Sequence, residues 1–572
     1  MKCSRCGADC PAGARFCGQC GAALSSNCPS CGADNPPEHR FCGQCGASLD
    51  GPGRQDAASK PLAPEPTPVW VPHARGPPPG EMKQVTVLFC DIVYGSLLER
   101  DRRAYHRAVG QALEELYSGC AEEVAELLVL HFGRSDEAEK SVDYAILAAE
   151  KAQRRWANNE ALSYFNDALH RLDLLPDSEA NRLRRIDAVI KQGDSKFALG
   201  EHAEHMHALN EIRVLVDQTD DPSRRATWHY WRGFAEMFTG GHCDIAIDHC
   251  SKAATFAAAA GLDEIDAHVN SCLAQAYLIA GRLREAIDAG ERALARFESL
   301  GNLWWAVRTI SHLSPAANAL GEWHRSLSYC RRAIEHGTTL NDRRLKVIGL
   351  WRVGVTYIQQ GDPERGVEYC NKALALKPLP YDAATAKAAR GYGEIKAGRV
   401  DAGMADLSEA LTWLETSSMS YPRQRHSFFL AEGHLRRGDY AAARSLIESA
   451  LEPSRAMGYL HLEGVAWWLM GESLAPEDPH SAETCVETAM GILQRIGARN
   501  ELARAMVTRA ALRQTAGDLT MARQLLDQAE AIFEALGTLD EPARVEAARA
   551  ALDHGSPIGL LGGGRSAAGS PD

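Results

Sequence analysis

Glycine residues recur at a nearly constant spacing along most of the chain, and this spacing limits the fold more than any other feature. The intervals between successive markers are 41, 40, 40, 40, 37, 40 and 79 residues, and the last spans two periods with one marker missing. A period in this range predicts a helical solenoid, because each unit buries its apolar face only by stacking on its neighbours. The marker glycines are Gly200, Gly241, Gly281, Gly321, Gly361, Gly398, Gly438 and Gly517.

Each period divides into two helices joined by turns. A second set of glycines lies midway between the markers, and similar phrases such as GRLREAIDAGERAL and GDYAAARSLIESAL follow the marker glycines. The missing marker falls within residues 475–483, where proline replaces glycine as the helix breaker. The pattern predicts about nine helix pairs across residues 141–550. The midway glycines are Gly261, Gly301, Gly458, Gly497 and Gly537.

The repeats resemble the extended tetratricopeptide-like repeats of bacterial signalling proteins, with a period of about 40 residues instead of the standard 34. The sequence therefore predicts a mainly α fold, a tetratricopeptide-like α-solenoid over residues 102–552, followed by a disordered tail over 553–572. A solenoid presents a concave surface suited to a protein or peptide partner. The small residues that let paired helices approach closely include Ala286, Ala333, Ala373 and Ala410.

The first fifty residues contain a different, cysteine-rich repeat. Of the 17 cysteines in the chain, nine precede residue 46, and eight of these repeat with an offset of 25 residues as CxxC, ten residues, CxxC-G. Two CxxC turns supply four thiolates in a tetrahedron, which suits a structural Zn²⁺ ion with no open coordination position. The predicted ligands of two zinc ions are Cys3, Cys6, Cys17, Cys20, Cys28, Cys31, Cys42 and Cys45.

Residues 1–49 resemble the double zinc ribbon domains found at the N-termini of many bacterial proteins. Cys10 is excluded as a ligand because the equivalent residue of the second unit is Asn35. Four basic and four acidic residues balance through Asp50, and each Zn(Cys)₄ centre adds about −2 charges. Nucleic-acid binding needs a positive surface, and the whole chain carries −13. The ribbons are therefore expected to bind protein or act as a spacer, with nucleic acid unlikely.

A Pro-rich linker is predicted over residues 50–80, and a short isolated strand follows within residues 81–96. The phrase EMKQVTVLFCDIVYGS resembles the first strand of class III adenylate/guanylate cyclase domains. That resemblance implies Mg²⁺ binding at Asp91, but two-metal chemistry needs a second carboxylate. The nearest candidate, Asp136, lacks the preceding glycine of the family and has flanks that predict helix. A leftover strand without catalysis is the favoured interpretation.

The helical segment that begins at Arg102 resembles the region after the AAA-type ATPase in bacterial cyclase–ATPase–tetratricopeptide repeat proteins. No G-x-x-x-x-G-K-[ST] phosphate-binding loop occurs in the chain, and the glycine-rich run over 559–566 lacks the lysine. The sequence thus predicts a truncated remnant of such a protein, with the junction near residues 94–102 and no enzymatic activity. The alternative is a regulator or degenerate member of the cyclase family in cyclic nucleotide signalling.

The sequence also predicts the cellular compartment. The N-terminal MKCSRCGADC has no apolar segment of a secretory signal, and no run approaches about 18 consecutive apolar residues. A cytoplasmic protein without a membrane anchor is expected, in which thiols stay reduced and bind metal. The expected partner is a protein or peptide in the solenoid groove. Self-association is a further expectation, since an unpaired strand over 81–96 invites pairing with another copy.

Several aromatic, histidine and cysteine residues leave two interpretations open. The solenoid tryptophans fall in the first helix of a repeat, where core packing is favoured over groove anchoring. The group His202, His205 and His207 is expected to be a solvated helix end and not a metal site. Cys243 and Cys250 lie seven residues apart on one helix face, next to histidines, and a tetrahedral metal site is not expected there. These tryptophans are Trp228, Trp231, Trp304, Trp305, Trp351, Trp467 and Trp468.

The zinc prediction is testable by native mass spectrometry of the full chain. Cys17→Ser and Cys42→Ser should each lose one of two zinc ions, because three thiolates leave the tetrahedron incomplete. Cys10→Ser is the matched control and should keep both ions. Loss of zinc from the Cys10→Ser variant, or retention by the other two, contradicts the ligand assignment.

Overall fold

The computed structural model describes residues 26–27, 34–35, 97–416 and 420–561. The eight predicted zinc ligands, Cys10, the linker over 50–80 and the strand over 81–96 with Asp91 lie outside the described residues. The chain separates into two compact units, residues 1–88 and residues 89–572. In the first unit, β1 (Ser26–Asn27) and β2 (Asp34–Asn35) form an antiparallel pair with Ser26 opposite Asn35.

The described part of the second unit is built from helices. It opens with α1 (Glu99–Leu116), a 3₁₀-helix (Ala121–Val124) and α2 (Ala125–Gly133). Nine pairs of uninterrupted antiparallel helices make up most of the remainder, which confirms the predicted mainly α solenoid. These pairs are α3 (Ala138–Arg154) and α4 (Asn158–Asp173), α9 (Pro222–Glu236) and α10 (Cys243–Ala260), α11 (Asp263–Ile279) and α12 (Leu283–Ser299), α13 (Leu303–Ala319) and α14 (Trp323–Thr339), α15 (Arg343–Gln360) and α16 (Pro363–Ala375), α17 (Pro380–Lys396) and α18 (Val400–Glu415), α19 (Ser420–Arg437) and α20 (Tyr440–Ala456), α21 (Leu460–Leu474) and α22 (Pro479–Ile496), and α23 (Arg499–Thr515) and α24 (Leu519–Leu536).

One pair of the series is irregular. Between α4 and α9, both helices are broken in two, and a single helix, α25 (Glu541–Asp553), follows the last pair. The break within the first member falls at Lys191 and Gln192, which form a turn between the two short helices. The four short helices are α5 (Glu179–Ile190), α6 (Gly193–Leu199), α7 (His202–Glu211) and α8 (Arg213–Gln218).

The turn glycines lie between helices, as their spacing predicts, with one correction. All the other marker and midway glycines adopt positive φ, but at the second marker Gly240 (φ 83°) does so instead of Gly241. A side chain at Gly241 would collide with Glu236, so this position needs glycine for space. At the missing marker, Pro479 begins α22, and Asp478 caps it by accepting a hydrogen bond of 3.1 Å from the Ser481 amide.

Small residues set the spacing of the paired helices. Ala286, Ala333 and Ala373 are fully buried, and Ala410 is nearly so, as the sequence predicts. The backbones of α17 and α18 approach closely, since a Cβ on Gly403 would lie 2.3 Å from the carbonyl oxygen of Gly391. Any side chain at this point would force the two helices apart.

The array turns back on itself, so that repeats far apart in sequence come into contact. The Leu539 amide donates a hydrogen bond of 2.7 Å to the Gln360 carbonyl, and the Cys243 amide donates one of 3.1 Å to the Met457 carbonyl. The Lys396 ammonium lies 2.6 Å from the Asp540 carboxylate. These contacts close the solenoid around its concave surface.

A buried ion network joins the helices at this closure. Arg504 on α23 lies 2.8 Å from Glu432 on α19 and 2.9 Å from Glu541 on α25. Tyr392 on α17 donates a hydrogen bond of 3.1 Å to the other oxygen of Glu432. Burial acts to raise the pKa of Glu432, but Arg504 and Arg436 outweigh it and hold that pKa well below the ordinary range.

Replacing the central cation of this network tests its contribution to stability. Arg504→Met should lower the free energy of unfolding by about 3–5 kcal/mol, because two buried carboxylates lose the cation they share and keep only Arg436 and Arg544. Arg523→Met is the matched control, since its ion pair of 3.0 Å with Asp553 is exposed and should contribute at most about 1 kcal/mol. Urea denaturation followed by circular dichroism measures both. Equal effects would show that the network adds nothing.

The same network should make stability depend on pH. The pKa values of Glu432 and Glu541 are lowered by the fold, so the stabilisation is complete above the ordinary glutamate value of about 4.3. It is lost as the pH falls through the lowered values. The difference in unfolding free energy between wild type and Arg504→Met should therefore shrink below pH of about 4.3, as measured by denaturation at a series of pH values. A constant difference contradicts the assignment.

Candidate functional site

The closed solenoid surrounds a cavity of about 1360 Å³ on its concave side. This volume exceeds the roughly 300–1,000 Å³ of sites that hold drug-sized ligands. Most of the lining comes from α13, α15, α17 and α19, the first helices of four successive pairs. Because these helices repeat in register, equivalent positions of consecutive repeats face the same space.

The cavity is positively charged although the chain as a whole is acidic. Five arginines line it, against three carboxylates, whereas the net charge of the chain is −13. At one end, Arg154 and Glu150 are engaged with Glu122 and Lys191, which lie outside the lining. The remaining charged groups of the lining are Asp194, Arg308, Arg344, Arg352, Asp382 and Arg425.

Three of the arginines have no carboxylate partner within the described residues, where they also form no side-chain hydrogen bond. Arg308, Arg352 and Arg425 are half-buried and each lies over an aromatic ring. The guanidinium carbons lie 4.7 Å from the ring centre of Phe197, 4.4 Å from that of Trp351 and 5.4 Å from that of Phe429, in the same order. Ring faces partly stabilise such cations, but they do not supply hydrogen-bond acceptors for the N–H groups.

Electrostatic effects show that these arginines act on one another. Burial, with a smaller contribution from nearby Arg425, lowers the pKa of Arg352 to about 10. Burial likewise lowers the pKa of Arg308, and Arg344 adds to the decrease. The pKa of His312 falls well below its ordinary value through burial, followed by the charges of Arg308 and Arg352. A set of like charges in a desolvated space costs free energy that an anion in the cavity would offset.

The carboxylates of the lining compensate this charge only in part. Asp382 accepts a hydrogen bond of 3.0 Å from Arg344, yet burial raises its pKa. Asp194, whose pKa is raised to about 6 by desolvation and by the charge of Glu264, is still mostly ionised near pH 7. Four arginines of the lining, Arg308, Arg344, Arg352 and Arg425, face these two carboxylates, so positive charge remains in excess.

Several buried polar atoms of the lining lack a hydrogen-bond partner in the described part of the chain. They are Nε of Arg352, Nε1 of Trp351 and Nδ1 of His426. Burial lowers the pKa of His426 to about 3, so its imidazole is neutral near pH 7. Buried polar atoms are normally satisfied, and comparable unsatisfied atoms, such as Nε of Arg436 and of Arg444, also occur away from the cavity.

The tryptophans divide between the two interpretations given above: some line the cavity and others pack in the core. Trp304, Trp305 and Trp351 line the cavity. Trp228 and Trp468 are buried in the core, and the indole of Trp468 donates a hydrogen bond of 2.8 Å to the Thr508 hydroxyl. The first helices thus carry both core and groove aromatics.

The expected solvated helix end at His202, His205 and His207 is wrong for two of the three residues. His202 is buried and stacks on Phe238 with ring centres 4.5 Å apart, and His205 is buried against the Val189 carbonyl. Only His207 is exposed, with 78% of its side chain accessible. The sequence signal failed because a broken helix turns this end into the core.

The cysteine–histidine set at the start of α10 is arranged differently from a metal site. Cys243 and Cys250 are both buried on one helix face, as predicted. His242, Cys243 and Asp244 come within 4.8 Å of one another. However, the Cys243 thiol bonds the Gly458 carbonyl at 3.3 Å, and burial raises its pKa to about 11, which disfavours the thiolate that zinc requires.

Asp136, considered above as a second cyclase carboxylate, lies in the turn between α2 and α3 and not within a helix. Its carboxylate accepts a hydrogen bond of 2.6 Å from Nε of Arg107. The predicted helical flanks of Asp136 are confirmed by α2 and α3, and its carboxylate has a structural partner in the turn between them. Asp91 lies outside the described residues.

Two known families match parts of the predicted architecture, one at the N-terminus and one within the solenoid. Residues 3–46 match the double zinc ribbon family, and residues 349–378 match the tetratricopeptide repeat. A double zinc ribbon implies zinc binding, and the donor set of two groups of four thiolates fits that metal. No curated protein sequence matches the chain. The origin from a cyclase–ATPase protein stays a prediction.

Solved structures similar to this chain are helical-repeat proteins. A Rap protein complexed with competence and sporulation factor is 13% identical, with a TM-score of 0.44 over 70% of this chain and 99% of that one. NprR in complex with its cognate peptide NprX is 12% identical, with a TM-score of 0.47 over 62% and 99%. The APC/C hetero-tetramer Cut9–Hcn1 is 11% identical, with a TM-score of 0.45 over 81% and 92%. At this level the likeness concerns the fold alone.

No helix among the described residues is long and apolar enough to span a lipid bilayer.

The cavity arginines were missed by sequence reasoning. A signal existed, since Arg308 and Arg352 each interrupt an otherwise apolar first helix, in WWAVRTIS and LWRVGV. A charged residue on a face that pattern assigns to the interior points either to a buried ion pair or to a ligand.

Proposed function

We propose that this chain is a non-catalytic scaffold whose solenoid binds a segment of a partner protein, or a peptide, in its central cavity. The observation that carries the proposal is the cavity itself, which combines aromatic side chains, unpaired arginines and unsatisfied buried donors. Aromatic and arginine side chains are the residues that most often dominate binding energy at interfaces. The volume of about 1360 Å³ suits a chain segment better than a small metabolite.

The double zinc ribbon forms the second part of the proposal. Its two four-thiolate sites leave no open coordination position, which favours structural ions over catalytic ones. The ribbon would then engage a second partner, or hold the solenoid at a distance from it, in cytoplasmic bacterial signalling. The ribbon's balanced charge supports a protein partner over nucleic acid.

Affinity capture with the full chain as bait tests this proposal. A partner should be recovered by the wild type and lost with Trp304→Ala, because Trp304 lines the cavity and is partly exposed within it. Tyr105→Ala is the matched control, since it removes an aromatic side chain that is 53% exposed on α1 and lies outside the cavity lining.

A competition step makes the capture decisive. A synthetic peptide that copies the contacting segment of the recovered partner should displace that partner from the wild-type chain. Retention of the partner by Trp304→Ala, or no displacement by any of its peptides, contradicts a binding site in the cavity. Cyclic nucleotide production by the purified chain would instead support the alternative of an active cyclase relative.

A further inference from the structure

The arrangement of charge in the cavity narrows the chemistry of its occupant. Arg308, Arg352 and Arg425 come from three first helices, α13, α15 and α19, yet they face one space. Elsewhere in the solenoid, a buried arginine is matched by carboxylates, as Arg504 is by Glu432 and Glu541. The cavity arginines therefore differ from Arg504 in having no carboxylate partner in the described part of the chain; they are called the unmatched group below.

The unmatched group has both charge and directed donors to offer. Arg352 carries a buried Nε without a hydrogen-bond partner in the described chain, and the adjacent Trp351 carries an indole N–H in the same condition. Guanidinium–carboxylate pairs are among the strongest in proteins, because a guanidinium presents several N–H groups to one carboxylate. His426 and His312 are neutral near pH 7, because burial lowers their pKa values, and they add no further charge to the cavity.

The aromatic part of the lining defines the other half of the occupant. Trp304 and Trp305 lie next to each other with ring centres 5.3 Å apart, and Trp305 also lies beneath Arg308 at 5.4 Å. An apolar side chain of a bound segment would therefore have the tryptophan surface of α13 to pack on, in the same cavity as the arginines of α15 and α19. A small inorganic anion would leave the tryptophan surface uncovered.

We infer that the cavity binds an acidic peptide segment, with a carboxylate on Arg352 and Arg425 and an apolar side chain on Trp304 and Trp305. This inference rests on the proposed function and specifies its ligand. The shared chemistry, a carboxylate on a peptide, comes either from an Asp or Glu side chain or from a free C-terminus. Net negative charge on the protein as a whole does not prevent this, because the local surface decides the contact.

Selection of peptides on the immobilised full chain tests the inference. The probe is a phage-displayed library of random short peptides, selected in parallel on wild type, Arg352→Met and the matched control Arg331→Met. Arg331 is an exposed arginine on α14 without an ion pair in the described chain, so its loss removes the same charge outside the cavity. Sequences enriched on the wild type and on Arg331→Met should carry Asp or Glu beside an apolar residue and should not be enriched on Arg352→Met.

Synthetic versions of the enriched peptides measure the effect in solution by fluorescence anisotropy. Replacing their Glu or Asp by the amide should weaken binding about tenfold or more, the equivalent of one charge-assisted hydrogen bond. Arg352→Met should weaken binding of the acidic peptide similarly, and Arg352→Lys should restore part of the loss. Thermal unfolding of each variant separates a folding defect from lost recognition, and Arg425→Met provides a second, independent position.

Each other outcome has a defined meaning. Enriched peptides that are neutral or basic but still require Trp304 would overturn the acidic ligand and leave the proposed peptide site standing. Failure to enrich any peptide that depends on the cavity would overturn both. Binding of inorganic phosphate or adenosine monophosphate as tight as that of the peptides would make the occupant a small anion. Synthetic peptides with free or amidated C-termini then distinguish the two sources of carboxylate.

Discussion

The ion network centred on Arg504 is a buried interaction that joins helices from different repeats of the solenoid. The guanidinium of Arg504 lies between Glu432, four helices earlier in the array, and Glu541, two helices later. A buried ion of this kind is tolerated only when its partners are held in place. The partners are held by Tyr392, Arg436 and Arg544, so the network fixes the relative position of four helices. Contacts between remote repeats, such as Gln360 with Leu539, follow from that geometry.

Closure has a functional consequence, because it deepens the concave face into a cavity that stays partly open to solvent. Side chains that would be solvated in an open array become half-buried, and burial is the main cause of the lowered pKa of Arg308 and Arg352. The two groups of arginines thus differ in how their charge is compensated. Arg504 is compensated inside the protein, and the cavity arginines are left to be compensated from outside.

Much of the fold was accessible from the sequence because its causes are local. A glycine that ends a helix needs only its own backbone in the left-handed region, so Gly281 and Gly361 mark their turns without reference to the rest of the chain. Apolar spacing likewise identified the first helices and the buried alanines. Local reasoning failed where tertiary packing intervened, as at His202 and His205, which a broken helix carries into the core.

The sequence by itself determined the repeat, the helix pairing and the eight-cysteine zinc motif, since each is written as a spacing along the chain. Only the tertiary structure decided that the array closes and that Arg308, Arg352 and Arg425 share one cavity. These residues are 44 and 73 positions apart along the chain. Their proximity depends on the small rotation added at every repeat, which is a sum over many packing contacts and has no local sequence pattern.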